Sequence, residues 1–381
     1  MHLFIIDYYI SFDTLSPIAY YLKKNRENVY VYNFNVLQDF SENKIMKYLI
    51  SMKIKYLPHQ PLNSTKLVLY YLLKLFIRLS PKFILKRCTR LWFYLKRDVN
   101  FLSEKKLEDF FVKNNVKTLT ISENFPIDRL KRIYLISKKN NVRLILVPSG
   151  LALNEQEYYS KKLNFCDKYL QCNNKLKFEN LEEKNNNNNK LINVGSARYD
   201  DEWLEVINSI FRLGQNQLLN KQLKIAFFVK KGSHWGENKK IENLIEKLKE
   251  NKDFQVSVRN KPSDIYPNKI SVFMNDKFNS SQIIDWCDIV ISGRPSSILV
   301  ECIKKNKEVL ILDTDNIIKT NFYNYKIFKK MKFEDVNEYL KSYLNYKVKI
   351  SESDKKKFFE DFITYESNSL KYHLEKAYLT T

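Results

Sequence analysis

The residues of this 381-residue chain that are equipped for proton transfer stand where short apolar runs end. Asp7 follows the run His2 to Ile6, Asp13 comes shortly afterwards, and Glu123 follows the run Val116 to Ile121. Apolar runs of this kind predict buried strands. A carboxylate at a strand end is a candidate general base, because an attacking hydroxyl needs a proton acceptor. In the alternatives, Asp13 caps the following helix, and Glu123 caps a helix or stays solvated.

A second group of polar side chains, basic or hydroxylic, follows three apolar runs in the second half of the chain. These runs are Lys224 to Val229, Phe254 to Val258 and Asp288 to Ile291. The loops after them carry Lys230, Lys231, Ser233, His234, Arg259, Lys261, Gly293, Arg294, Ser296 and Ser297. In the alternative explanation, the lysines are ordinary scattered surface residues. The concentration of basic and hydroxyl groups at three successive strand ends instead predicts a site for a phosphate-bearing ligand.

The stretch Trp286 to Asp313 has the pattern of a strand, a tight loop, a helix and a second strand. Pro295 suits the first turn of the helix, and Ser296 and Ser297 bring hydroxyl groups to backbone N–H groups that lack intrahelical partners. This arrangement predicts an anion-binding loop at a helix N-terminus. The alternative is a βαβ unit without a ligand.

Strand and helix patterns alternate in both halves, which predicts an α/β fold with two parallel-sheet domains. Among these patterns are a helix from about Thr14 to Asn25 with Pro17 in its first turn, an edge strand at Cys166 to Cys172, a short strand at Ile270 to Met274 and a buried strand at Glu308 to Leu312. We place the domains at residues 1–200 and 201–381, with helices from Phe333 to Tyr378 closing the second domain or crossing back to the first. Parallel strands gather their carboxyl ends at one edge of a sheet. Asp7, Asp13 and Glu123 should therefore share one crevice, and the basic loops another.

Several other classes of site find no support in the sequence. There is no phosphate-binding Walker loop, no dinucleotide fingerprint and no HExxH or GxSxG motif. The 4 histidines are far apart, so we expect no metal site and no bound cofactor. The 5 cysteines form no CxxC pair, which favours reduced thiols and a cytoplasmic protein.

The formal net charge of +22 would attract nucleic acid, an anionic membrane or phosphorylated small molecules. Between Thr65 and Asp98, apolar and aromatic residues interleave with Lys and Arg, and no acid intervenes. The pattern predicts two basic amphipathic helices, broken near Pro81, on the anionic inner face of a membrane. Packed helices with solvated basic edges are the alternative. The apolar content of 65–98 argues against nucleic acid, and no apolar run reaches the roughly 20 residues of a membrane span.

Two segments resemble a known family. Together with two consecutive α/β domains, Gly195-Ser-Ala-Arg-Tyr-Asp200 and Asp288 to Glu301 look like GT-B glycosyltransferases, whose two Rossmann-like domains face a cleft. The likeness is to bacterial surface-carbohydrate and capsule transferases and, distantly, to CDP-glycerol glycerophosphotransferases. It implies a nucleotide-activated sugar on the second domain, with its phosphates at Ser296 and Ser297 and its ribose at Glu301.

The resemblance has two departures. Arg259-Asn-Lys-Pro262 stands where relatives often have Lys-x-His-Pro, and Arg294-Pro295 departs from the Asp-Tyr-Ser-Ser form of the glycerophosphotransferases. Arg259 and Lys261 would still neutralise a diphosphate. We therefore expect metal-independent transfer of a sugar to a surface-polysaccharide or lipid-linked glycan acceptor, with Asp7, Asp13 or Glu123 as the base. One alternative is a sugar-nucleotide epimerase, which would need more carboxylates and histidines in the crevice. The other is a basic nucleic-acid-binding protein, suggested by the charge alone.

Overall fold

The computed structural model of the protein describes residues 1–7, 9–34, 39–58, 68–69, 72, 104–148, 162–172, 190–211, 222–229, 235–259, 279–293, 298–313, 325–345, 350–365 and 367–379. The chain divides into two compact units. The first unit comprises Met1–Trp203 and Phe362–Thr381, and the second comprises Leu204–Asp361. Each unit is built on one parallel sheet with helices, so the predicted fold class is confirmed.

The first unit alternates strands and helices from its first residues. Its strands are β1 (His2–Ile6), β2 (Val29–Asn33), β3 (Lys55–Leu57), β4 (Thr118–Ser122), β5 (Arg143–Val147), β6 (Lys168–Gln171) and β7 (Leu191–Asn193). The helices among them are α1 (Tyr9–Lys24), α2 (Lys44–Ser51), α3 (Glu104–Asn114) and α4 (Ile127–Lys139). Every residue of β1 and β4 is buried, as expected for strands covered on both faces of a parallel sheet.

The second unit repeats the same alternation. After α5 (Asp201–Ile210), in which the chain passes between the units, its strands are β8 (Leu223–Phe228), β9 (Phe254–Arg259), β10 (Ile289–Ser292), β11 (Glu308–Leu312) and β12 (Phe328–Met331). Its helices are α6 (Trp235–Glu250), α7 (Ser280–Trp286), α8 (Ile298–Lys304), α9 (Val336–Asn345) and α10 (Glu352–Phe362). A capping box at Asn279 and Gln282 fixes the start of α7.

The last described segment returns to the first unit. It forms α11 (Ser369–His373) and a π-helical turn, Leu374–Tyr378. The buried Tyr378 shares a hydrogen bond of 2.9 Å with the Thr120 hydroxyl and stacks on Phe4 at a centroid distance of 6.2 Å. Our division at residues 200 and 201 assigned this segment to the second domain, with the alternative that its helices cross back to the first. Contacts group it with the first unit, because its apolar side chains bury there.

Strand order creates one switch point in each sheet. The first sheet runs β3-β2-β1-β4-β5-β6-β7, so connections leave in opposite directions from β1 and β4. The second runs β9-β8-β10-β11-β12, with the reversal between β8 and β10. Open α/β sheets bind ligands beyond the carboxyl ends of the strands at such a reversal. The residues after β1, β4, β8 and β10 therefore lie where a sheet of this kind binds a ligand.

Some sequence predictions need correction. The helix expected to start near Thr14 already begins at Tyr9, so Asp13 lies inside α1 and does not cap it. Pro17 misled the prediction, since proline favours a first turn but here occupies the interior, where it cannot donate to the carbonyl of Asp13. The strand expected at Cys166 to Cys172 is not an edge strand, because β7 pairs with β6.

Two other predictions fall largely outside the described residues. These are a short strand at Ile270 to Met274 and the amphipathic helices of 65–98. Within the latter segment the structure describes Val68, Leu69 and Leu72, which are helical. In the described part of the chain, no helix combines the length and apolar character that crossing a membrane requires.

The segment Gly195-Ser-Ala-Arg-Tyr-Asp200 forms a tight connection between β7 and α5. Gly195 has a φ of +74°, in the left-handed region that favours glycine. A Cβ atom at this position would lie 2.7 Å from the backbone oxygen of Ile363 and 3.1 Å from the backbone nitrogen of Tyr365. Both the backbone conformation and the close approach therefore require glycine.

We predict that Gly195→Ala lowers the free energy of unfolding by at least about 2 kcal/mol, since it combines left-handed strain with a backbone clash. Gly293→Ala is the matched control. Its Cβ would meet Ile241 Cδ1 at an ordinary 3.9 Å, so we expect a change below roughly 1 kcal/mol. Urea denaturation measures both. Equal stabilities of the two variants would contradict this account.

Candidate functional site

The first sheet places two predicted carboxylates side by side at its switch point. Asp7 directly follows β1 and Glu123 directly follows β4. Ile5 pairs with Ile121 in the register of these strands, so the two acids occupy equivalent positions beyond the strand ends. Both are buried, with 6% of Asp7 and 2% of Glu123 exposed. The alternative in which Glu123 stays solvated is therefore wrong.

Each of these carboxylates has a hydroxyl donor. Ser11 in the first turn of α1 donates to Oδ1 of Asp7, and the Tyr169 hydroxyl on β6 donates to Oε2 of Glu123 at 2.6 Å. Buried carboxylates require such donors, because an unsatisfied charge in a low-dielectric interior is very unfavourable. Asp7 and Glu123 are thus held in fixed positions inside the fold.

Other buried groups enclose Glu123. The ammonium group of the fully buried Lys162 donates a hydrogen bond to the backbone oxygen of Glu123. Burial raises the pKa of the nearby Cys172 thiol to about 12, and the Glu123 carboxylate adds to the rise. A group that reacts with a substrate must be reachable, and Glu123 is enclosed on every side that the structure describes.

Asp13 is the most accessible of the three candidate bases. It lies in the second turn of α1, one turn after Tyr9, which is 43% exposed. Its Oδ2 forms an ion pair of 2.8 Å with Nη1 of Arg198, and each of the two side chains is 23% exposed. Because α1 begins just after the carboxyl end of β1, Asp13 lies close to the switch point of the first sheet.

The second sheet brings two predicted donor-binding residues to its carboxyl edge. Arg259 is the last residue of β9, opposite Phe228 of β8, and Gly293 directly follows β10. Apart from its chain neighbours, Ile241 is the one described residue that would lie within 4 Å of a Cβ at Gly293, with its Cδ1 at 3.9 Å. The remaining predicted members lie outside the described residues: Lys230, Lys231, Ser233, His234, Lys261, Arg294, Ser296 and Ser297.

Glu301, the predicted ribose ligand, lies in α8 and is 6% exposed. Its Oε1 accepts a hydrogen bond from Ser281 and pairs with Lys305 at 3.2 Å. Lys305 also pairs with Asp285 at 2.7 Å, so these charges hold α7 and α8 together. This is the geometry of a packing ion pair, and the ribose role stays a prediction.

The described histidines serve the fold. His2 lies at the amino end of β1, opposite the switch-point edge, and its ring nitrogens contact Thr118 at 2.8 Å and Glu27 at 3.0 Å. Burial lowers the pKa of His373 in α11 to about 4, which keeps this ring neutral. In the described ranges no group of three or more His, Cys, Asp and Glu could hold a metal ion. The four described cysteines are all buried and none of them takes part in a disulfide: Cys166, Cys172, Cys287 and Cys302.

Sequence reasoning missed three partners of the candidate bases. Ser11 is four residues after Asp7, so helical spacing could have revealed it. Tyr169 and Arg198 lie far along the chain from Glu123 and Asp13, and only the strand order brings them close.

We predict that Lys305→Met lowers the free energy of unfolding by about 3 kcal/mol, because it leaves the buried Glu301 carboxylate without its cation. The double variant Glu301→Gln/Lys305→Met should recover much of this loss. Lys356→Met is the control, since Lys356 and Glu360 also form an i,i+4 pair, in the reverse order and on an exposed helix face. A loss in Lys356→Met as large as in Lys305→Met, by chemical denaturation, would contradict a buried structural pair.

No family model matches the sequence, and no curated protein matches it. Solved structures match over nearly the whole chain. A putative UDP-N-acetylglucosamine 2-epimerase from Listeria monocytogenes has a TM-score of 0.60 and 11% identity, covering 99% of this chain and 96% of its own. The calicheamicin glycosyltransferase has a TM-score of 0.54 and 7% identity, covering 99% and 98%.

A third structure was solved with ligands. The UDP-GlcNAc 2-epimerase from Methanocaldococcus jannaschii, in complex with UDP-GlcNAc and UDP, has a TM-score of 0.52 and 12% identity, covering 93% of this chain and 97% of its own. At such identities the likeness shows the fold alone. The chain thus has the GT-B type of fold, which glycosyltransferases and UDP-GlcNAc 2-epimerases share.

Proposed function

We propose that the protein is a glycosyltransferase that moves a sugar from a nucleotide-activated donor to a hydroxyl of a glycan or lipid-linked acceptor, in the synthesis of a surface polysaccharide such as capsule or lipopolysaccharide. One observation carries this proposal. The carboxyl edges of the two sheets carry different chemistry: carboxylates follow β1 and β4 at the switch point of the first sheet, whereas in the second sheet a glycine follows β10 and an arginine ends β9, beside β8. This division suits a reaction with one proton acceptor and one anionic leaving group.

The second unit would bind the donor. Gly293 allows a phosphate group to approach the backbone after β10, and Arg259 supplies positive charge from the neighbouring part of the edge. The sequence adds Lys230, Lys261 and Arg294 to the same strand ends. As the nucleotide departs, negative charge develops on its phosphate oxygens, and fixed cationic groups stabilise that charge in the transition state.

The first unit would supply the base, and we propose Asp13. Asp7 and Glu123 are more than nine-tenths buried, whereas Asp13 is partly exposed. A base must come within hydrogen-bond reach of the acceptor hydroxyl, so accessibility favours Asp13. The exposed Tyr9 ring, one helical turn away, would offer an apolar face to an acceptor sugar.

An epimerase is the second candidate, because solved UDP-GlcNAc 2-epimerases share the fold. Epimerisation removes a proton from carbon and returns it on the other face, so it needs several acid and base groups around one sugar. Among the described residues of the first switch point, two of the three carboxylates are buried on hydroxyl donors and there is no histidine. This favours transfer, which needs a single base.

The membrane surface is the proposed location of the acceptor. Val68, Leu69 and Leu72 are helical and 57%, 50% and 58% exposed, in a segment without an acid between Thr65 and Asp98. Exposed apolar side chains surrounded in sequence by Lys and Arg favour insertion into an anionic lipid surface.

We predict that UDP, CDP, CMP or GDP raises the thermal unfolding midpoint of the protein, because a ligand that binds only the folded state stabilises it. Arg259→Ala should reduce the shift, since it removes positive charge from the donor edge. Arg132→Ala, at an exposed position of α4 in the first unit, loses the same charge and should keep the shift.

If no nucleotide raises the unfolding midpoint, or if Arg259→Ala keeps the full shift in that midpoint, the donor site is contradicted.

Incubation with UDP-GlcNAc in D₂O separates the two candidate functions. Deuterium at C2 of the recovered sugar nucleotide would contradict transfer and support the epimerase. Nucleotide release that depends on an added glycan acceptor would support transfer.

We predict that the triple variant Val68→Ser/Leu69→Ser/Leu72→Ser binds phosphatidylglycerol vesicles at least roughly tenfold more weakly than the wild type, because three apolar side chains no longer insert. Vesicle sedimentation measures the binding. Val112→Ser/Leu135→Ser is the matched control, since these residues are 70% and 59% exposed on α3 and α4. Equal losses in the two variants, or no binding of the wild type at low salt, would contradict the membrane surface.

A further inference from the structure

The connection between β7 and α5 holds one arginine in a well-defined position. Gly195 packs against the backbone at Ile363, Tyr199 is 2% exposed, and Asp200 accepts backbone N–H bonds from Glu202 at 3.1 Å and Leu370 at 3.0 Å. These contacts leave the backbone of the connection little freedom. Arg198 lies within it, with its guanidinium 5.5 Å from the Tyr199 ring centroid.

Arg198 reaches from this connection to the candidate base. Its Nη1 lies 2.8 Å from Oδ2 of Asp13, and both side chains are mostly but not fully buried. An opposite charge at this distance favours the ionised form of a carboxylate, and partial burial strengthens the effect relative to water. The pair also restricts the rotamers of Asp13.

Attachment of α1 does not depend on this ion pair. The carboxyl-terminal end of α1 contacts α5. There the Lys24 ammonium and the Tyr20 hydroxyl both donate a hydrogen bond of 2.8 Å to the Glu202 carboxylate. The Tyr20 and Trp203 rings also pack at 5.5 Å. Since these other contacts hold α1 in place, the effect of Arg198 falls on the Asp13 carboxylate.

We propose that Arg198 is a positioning residue that keeps the Asp13 carboxylate ionised and correctly oriented to accept the proton of the acceptor hydroxyl. This inference rests on the proposed function. In the step, the acceptor oxygen bonds to the anomeric carbon of the donor sugar while the bond from that carbon to the nucleotide phosphate oxygen breaks. The hydroxyl proton passes to Asp13, which later releases it to water, and the nucleotide leaves as an anion.

The test compares Arg198→Gln with Lys24→Gln, because both remove a cation that joins α1 to the chain after β7. In Arg198→Gln we expect kcat to fall roughly tenfold or more, KM for the donor to change little, and the acid limb of the pH–rate profile to move up by about one pH unit or more. Arg198→Lys, which keeps the charge, should recover part of the loss. Lys24→Gln should match the wild type.

Equal effects of Arg198→Gln and Lys24→Gln would overturn the inference and indicate a merely structural contact. A direct measurement uses protein labelled with ¹³C at the aspartate carboxyl carbons, assigned with Asp13→Asn. The titration midpoint of Asp13 should rise in Arg198→Gln, and an unchanged midpoint in an active enzyme would overturn this inference alone. Absence of sugar transfer by the wild type would instead overturn the proposed function.

Discussion

The site depends on one constraint of the architecture, which is that a parallel sheet covered by helices opens to a ligand only at the carboxyl edge, where its strand order reverses. In this protein β1, β4 and β10 are buried along their whole length, so polar chemistry can begin only at the residues that follow them. Asp7, Glu123 and Gly293 are those residues. The same constraint, acting separately in two units, produces two edges with different chemistry.

The charges at these edges are tolerated because each has a specific partner. A hydroxyl donor accompanies Asp7 and Glu123, and a guanidinium accompanies Asp13. A hydroxyl donor offsets the loss of water around a buried carboxylate. An arginine beside a partly exposed carboxylate also favours the ionised form of that carboxylate. The first arrangement suits a rigid framework and the second suits a working base, which is why the three acids have different proposed roles.

Local patterns in the sequence were sufficient to predict the central strands β1, β4, β8 and β10 and the positions of the candidate residues beside them, whereas the short strands β3 and β12 were missed. β1 and β11 have the predicted bounds, since apolar runs of β-branched residues are read directly from the chain. The start of α1 was wrong, because Pro17 resembles a first-turn proline. The pairing of Asp13 with Arg198 joins distant parts of the chain, and only the strand order reveals it. The ion pair of Glu301 could be predicted locally, since Lys305 stands four residues later, at the spacing of an ion pair on a helix.

The division of chemistry between the two units is the central claim, and hydrogen–deuterium exchange with and without a saturating nucleoside diphosphate tests it most directly. The account predicts slower exchange in peptides that cover the carboxyl ends of β8 and β10 in the second unit, with little change at the end of β1. Protection confined to the first unit, or none in either unit under conditions where the nucleotide is bound, would contradict it.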